Sequence, residues 1–163
     1  MLAALSFDPM IQEYSTIAEY YRFGIELGII DFSSAVDWAD KVIEVEDAPS
    51  GEFVELALSR PRGRVGVVEC LRDIPGARDS KMAGSLLLAD LYGWVKSGKN
   101  IQAVAKKALN VARATDLSEK ECFLFDAIDD ELTLAISGEY GTVEQSKVEL
   151  LEALSEYHER TKT

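Results

Sequence analysis

Histidine occurs once in this chain of 163 residues and cysteine twice. With only His158, near the end of the chain, a catalytic triad, a histidine-rich zinc site or a histidine switch would rest on that one side chain, which reads as a solvated tail residue. Cys70 and Cys122 sit in the apolar contexts VVECL and ECFLF, as small buried hydrophobes do in a reduced cytosolic protein. Two thiols make no disulfide framework. Nor does any run approach the ~18 consecutive apolar residues of a membrane span. The opening MLAALSFDPM lacks the basic n-region of a secretion signal, so a cytoplasmic location away from membranes is expected. Bases are short as well: 17 against 29 acids, a net charge of -12. That surplus disfavours nucleic-acid backbone and anionic lipid as ligands and favours a basic partner.

Catalytic and cofactor motifs are also missing. There is no G-x-x-x-x-G-K-S/T, no G-x-G-x-x-G, no D-x-D/N-x-D/N-G calcium loop and no G-x-S-x-G elbow. A di-iron E-x-x-H pair fails because Ser155 stands three residues before His158. The expectation is therefore a protein that is not an enzyme and uses no cofactor and no metal.

What the chain does contain, at 47% hydrophobic and 28% charged, is enough apolar material for one domain over residues 1–163, with the last few residues frayed. Apolar residues recur at helical spacing, with Gly, Pro, Ser and Asp at intervals suited to helix ends. Asp8 and Pro9 open a first helix with Ile11, Tyr14, Ile17, Ala18, Tyr21 and Ile25 on one stripe, ending near Gly28. Asp31 to Ser34 start a second, burying Val36, Ala39, Val42 and Ile43 with Trp38 at the flank. Ser50 caps a short third helix with Phe53, Val54, Leu56, Ala57 and Leu58. VGVVECL, residues 65–71, is β-branched, but with no partner strand it is read as a short helix. Ser80 to Lys96 forms a helix apolar on more than one side, and Gly98 and Asn100 close it and open the next. Ser118 and Glu121 make a capping box before a helix through Phe123, Phe125, Ile128, Leu132 and Ile136. Thr142 caps the last helix, with Val143, Val148, Leu151, Leu154 and Tyr157 apolar. An all-α fold of about eight helices follows, an irregular bundle or a short stack of antiparallel hairpins.

Charge is segregated along the chain. Residues 1–58 carry 12 acids and 2 bases, residues 59–113 carry 4 acids and 11 bases, and residues 114–163 carry 13 acids and 4 bases. In the bland account the basic middle neutralises the acidic ends through exposed pairs worth ~0 to 1 kcal/mol each. In the functional account one acidic face docks a basic protein, either Asp37, Asp40, Glu44, Glu46, Asp47, Glu52 and Glu55 or Asp126, Asp129, Asp130 and Glu131. Asp126, Asp129 and Asp130, at i, i+3 and i+4, also have a spacing that a hard cation accepts, as do solvated acidic faces. Arg60, Arg62 and Arg64, around Pro61 and Gly63, are candidate anion-binding residues for a phosphate or nucleotide. The adjacent Tyr20 and Tyr21 point about 100° apart, so one is expected to stay partly exposed as an interface anchor.

The stretch from Glu26 through Gly28 and Asp31, then VDWADKVI at residues 36–43, the acidic turn before Pro49 and the helix from Glu52 to Leu58 resemble small acidic α-helical bacterial immunity proteins of toxin–immunity systems. The resemblance covers about the first 60 residues. It implies a cytosolic protein that binds a toxin domain, often a basic nuclease, and blocks it; it carries over no catalytic residue. The basic middle block departs from a uniformly acidic surface and leaves the docking face open. The function expected is thus a non-enzymatic inhibitor of a basic protein partner. A self-associating helical adaptor or scaffold, as a homo-oligomer, and a phosphate binder using the arginine loop are the alternatives.

Overall fold

The computed structural model describes residues 13–162. It contains eight α-helices and no strand among those residues: α1 (Tyr14–Glu26), α2 (Phe32–Val45), α3 (Gly51–Ala57), α4 (Gly63–Asp73), α5 (Ser80–Lys96), α6 (Ile101–Ala114), α7 (Glu119–Ile136) and α8 (Val143–Thr161), with a 3-10 turn at Arg60–Arg62 before α4. The all-α expectation holds. Residues 65–71 are helical, inside α4. The Asp8–Pro9 start and Ile11 lie outside the described residues.

Local chemistry sets most of the ends. Asp31 accepts from the Ser33 backbone N–H, Asn100 from Ala103 and Thr142 from Gln145, each satisfying a donor that the first helical turn cannot. Ser118 and Glu121 form the reciprocal capping box. Ser50 departs from the pattern: it takes the extended backbone of a cap but makes no side-chain cap bond.

Where length points to one domain, the contacts gather into two compact units, Met1–Ala83 and Gly84–Thr163. In the first, α1 runs antiparallel to α2, its start lying at the end of α2 where Tyr14 meets Glu46, and α4 packs on α1, α2 and α3. Its core is aromatic. Trp38 stacks on Tyr21 with centroids 5.3 Å apart and takes Phe53 edge-on at 5.3 Å, geometries worth ~0.5 to 1.5 kcal/mol each beyond burial. Trp38 is thus buried at the centre of the core and not at its flank. Tyr20 and Tyr21 are both buried, so neither is the exposed anchor expected. Half-buried Tyr14 instead reaches the surface and donates to Glu46 at 2.6 Å.

In the second unit α6, α7 and α8 pack in succession, and the pairs Lys106–Asp129 and Tyr157–Glu121 fit antiparallel neighbours. α6 buries Val104, Ala105, Ala108, Leu109, Val111 and Ala112. His158 is not a free tail residue: its ring stacks on Tyr92 with centroids 4.5 Å apart. Several apolar groups expected in the cores face outward: Phe123 is 71% exposed, Leu58 71%, Val148 51% and Ile136 48%.

α5 carries two glycines in different surroundings. A Cβ on Gly84 would lie 2.8 Å from the Thr115 Cβ. Thr115 is fully buried, with its hydroxyl held on the Val111 carbonyl at 2.7 Å, so it has no room to swing away. A Cβ on Gly93 would meet nothing within 4 Å. Gly84→Ala is therefore expected to lower stability by about 1 to 3 kcal/mol through overpacking, despite alanine's better helix propensity. Gly93→Ala should raise it by about 0.5 to 1 kcal/mol. Urea unfolding of the two variants checks the opposite signs.

Candidate functional site

The expected site residues fall into one arginine turn and two acidic faces. In the turn, Gly63, at φ +72°, lets the chain reverse between Arg62 and Arg64, and the three guanidiniums diverge. Arg60 pairs with Asp37 at 3.0 Å. Arg62 pairs with Glu69 at 3.1 Å and donates to the Cys70 sulfur at 3.2 Å. Arg64 donates to the Glu26 carbonyl at 3.1 Å. Each has an acceptor on the chain itself, and the three do not converge on a common point. An anion would have to displace these partners, so thermal-shift runs with inorganic phosphate and nucleotides should be flat. A ligand at ~100 times its dissociation constant would instead add about 2.7 kcal/mol and be plainly visible.

The bases that follow behave the same way. Glu19, on α1, is 5% exposed. It takes a two-pronged contact from Arg22, Nε to Oε1 at 2.7 Å and Nη2 to Oε2 at 2.8 Å, and a third bond from Arg78 at 2.8 Å. Arg78 also donates to the carbonyls of Leu71, Arg72 and Ile74 at 2.7 to 2.9 Å. Arg72 reaches Glu26 at 3.0 Å. Burial opposes the charge on Glu19, but the hydrogen bonds and charges of Arg22 and Arg78 outweigh it and hold the carboxyl below its usual range.

On the first acidic face, Asp37, Asp40 and Glu44 recur at helical spacing along the solvent side of α2. Glu46 and Asp47 follow in the turn, and Glu52 and Glu55 sit on α3. Asp37 has Arg60 and Glu46 has the Tyr14 hydroxyl, which burial and then Glu46 push up to about 12. Among the described residues, no ion pair reaches Asp40, Glu44, Asp47, Glu52 or Glu55.

The second set does not form one face. Asp129 is buried, with Oδ2 on Lys106 at 2.9 Å and Oδ1 without a hydrogen-bond partner among the described residues. Asp126 pairs with Arg113 at 3.5 Å. Asp130 and Glu131 point to solvent. Asp126, Asp129 and Asp130 thus serve different surroundings, and no group of three His, Cys, Asp or Glu that could hold a metal stands among the described residues.

Sequence reasoning did not join Glu19 to Arg78, nor did it single out Glu149. The first two are joined across 59 positions, a separation that no local pattern reports. Glu149, on α8, hydrogen-bonds Glu131 of α7, and that contact, then burial, raises its carboxyl above the usual value. The two carboxyls resist being ionised together there. At the other end of the same helix pair, Glu121 accepts from Tyr157 and Ser118, which outweigh burial and hold it low.

No helix among the described residues is long and apolar enough to cross a membrane. Compared with family models, curated proteins and solved structures, the chain matches none.

The depressed Glu19 and Glu121 carboxyls set the acid limb of stability. Between the folded and the unfolded value the unfolded chain binds more protons, so stability is full above about 4.5, the ordinary glutamate value, and falls as the pH drops through the folded values. Glu19→Gln leaves Arg22 and Arg78 without their carboxylate and should cost about 3 kcal/mol, the low end for breaking a buried pair because both arginines retain some solvent. Denaturant midpoints between pH 3 and 7 check both points: the variant should be weaker at neutral pH and shed less stability on acidification.

Proposed function

We propose that this protein is a non-enzymatic binding module that takes a basic protein partner through its surplus carboxylates, most concretely a cytosolic immunity protein that neutralises a toxin domain such as a nuclease. One observation carries the reading. The chain's arginines are spent on its own acceptors, while Asp40, Glu44, Asp47, Glu52 and Glu55 stand at the α2–α3 surface with no ion pair among the described residues. Self-repulsion among them destabilises the folded state slightly, and a basic partner relieves it. Such a field speeds association by ~10- to 1000-fold, which suits an inhibitor that must reach its target before the target reaches its substrate.

The resemblance of residues 26–58 to small acidic immunity proteins supports the same partner class. The phosphate-binding alternative lacks support, because every guanidinium of the Arg60 to Arg64 turn is engaged within the chain.

The test is stopped-flow association with the product of the neighbouring gene. The association rate should fall steeply between about 50 and 200 mM salt, over which exposed charges become screened. Replacing Asp40, Glu44, Asp47, Glu52 and Glu55 by their amides should slow association by tenfold or more while dissociation changes little. Binding indifferent to both salt and substitution would sink the proposal.

A further inference from the structure

The outward side of α7 has the wrong chemistry for a merely solvated face. α7 turns Phe125, Ile128, Asp129 and Leu132 inward. Opposite them, at about 100° per residue, runs a stripe of Phe123, Ala127, Asp130 and Leu134, spaced i, i+4, i+7 and i+11. All four are exposed, Phe123 at 71% and Leu134 at 38%. Leu124, 46% exposed, and Glu131 form a parallel line toward α8, where Glu149 meets Glu131. Beyond the helix the chain folds back so that the Tyr140 backbone N–H donates to the Leu134 carbonyl at 3.4 Å. Tyr140 itself, at 74% exposure, extends the apolar end.

We infer that this face of α7 is a docking site for a basic amphipathic helix of the partner, seated with its apolar residues on Phe123, Leu124 and Leu134 and its lysines or arginines on Asp130, Glu131 and Glu149. The spacing is that of a heptad seam, which accepts a second helix lying alongside. Phe123 supplies the aromatic anchor that interface centres favour. The charges decide the occupant. A second copy of this chain would set Asp130, Glu131 and Glu149 against their own equivalents, and like charges at such close quarters reject a partner. A cationic residue placed between Glu131 and Glu149 removes a repulsion already present in the free protein. Lys120, at the N-terminal edge of the face, is the one base of α7 and leaves the acidic centre untouched.

The inference rests on the basic-partner reading and assigns it a face. The probe is a synthetic helix of leucine and lysine in heptad spacing, with counterparts in which glutamate replaces lysine or serine replaces leucine. Amide shifts of the isotope-labelled full chain are followed at low salt. The leucine–lysine peptide should saturably shift amides around Phe123, Asp130 and Leu134, and the two counterparts should bind at least tenfold more weakly. The double variant F123S/L134S, altered only at exposed positions, should retain its melting temperature and lose tenfold or more in affinity. E131Q/E149Q should weaken binding and flatten its salt dependence. Shifts confined to α2 and α3 would overturn this assignment while leaving the basic-partner reading intact. Concentration-dependent shifts of α7 amides without peptide would overturn it in favour of self-association. Equal binding of the glutamate peptide, or no saturable binding of any peptide, would overturn the assignment and count against the basic-partner reading as well.

Discussion

A carboxylate buried in the middle of a helix is tolerated only where cations meet it, and Glu19 has two. Arg22 comes from its own helix and Arg78 from the segment after α4. Arg78 contributes more than its charge. Its second nitrogen satisfies carbonyls at the C-terminal end of α4, groups that have no partner within a helix. One guanidinium thereby closes α4 and fastens it to α1. The adjoining residues follow suit: Ser15 donates to the Ala77 carbonyl at 2.5 Å and the Asp79 N–H donates to Thr16 at 3.0 Å. The segment with Pro75 and Gly76 is pinned along α1 by these bonds, and that fixes where α5 begins.

The same economy of charge runs through the chain. The basic block between residues 59 and 113 divides its cations. Arg60, Arg72 and Arg78 return to Asp37, Glu26 and Glu19, in the first acidic block. Lys106 and Arg113 go forward to Asp129 and Asp126, in the second. Each of these five pairs joins residues of one compact unit. Because acids outnumber bases, the remainder has to stand in solvent. The surplus behind the net charge of -12 includes carboxylates of α2, α3, α7 and α8 that have no ion pair among the described residues. The pairs that hold the helices thus decide by exclusion which acids are left without an ion pair, and the proposed recognition draws on that remainder.

Helix ends were legible in the sequence because their chemistry is local. Asp31, Asn100, Ser118 with Glu121, and Thr142 each act within three residues of themselves. Residues 65–71, with their β-branched valines, lie in a helix, and no strand stands among the described residues to pair with them, the ground on which a helix was expected. Burial was less legible. Helical periodicity says which residues share a face but not whether another element covers it, so Phe123, Val148 and Leu58 read as core and lie exposed. Trp38 shows the converse, reading as a flank and lying beneath Tyr21, Tyr14 and Phe53. The arginine turn looked like a clamp because its three cations alternate in sequence. A 3-10 turn and a left-handed Gly63 send them to three separate acceptors. Glu19 gave no signal, as its second cation lies 59 residues away.

α7 shows what that split between periodicity and coverage amounts to. Its inner face keeps one charge, Asp129, among Phe125, Ile128 and Leu132, and its outer face keeps a phenylalanine beside its carboxylates, two departures from an ordinary surface helix. Burying a phenylalanine is worth about 1.5 to 3 kcal/mol, so leaving Phe123 in water forgoes stability that the proposed docking would recover. Apolar stripes of this kind normally invite self-association. Here the carboxylates of Asp130, Glu131 and Glu149 run along the stripe and repel an identical face. In the proposed docking, the acids that oppose an identical face are the ones that attract a basic helix, so exclusion of one partner and selection of the other have a single electrostatic cause.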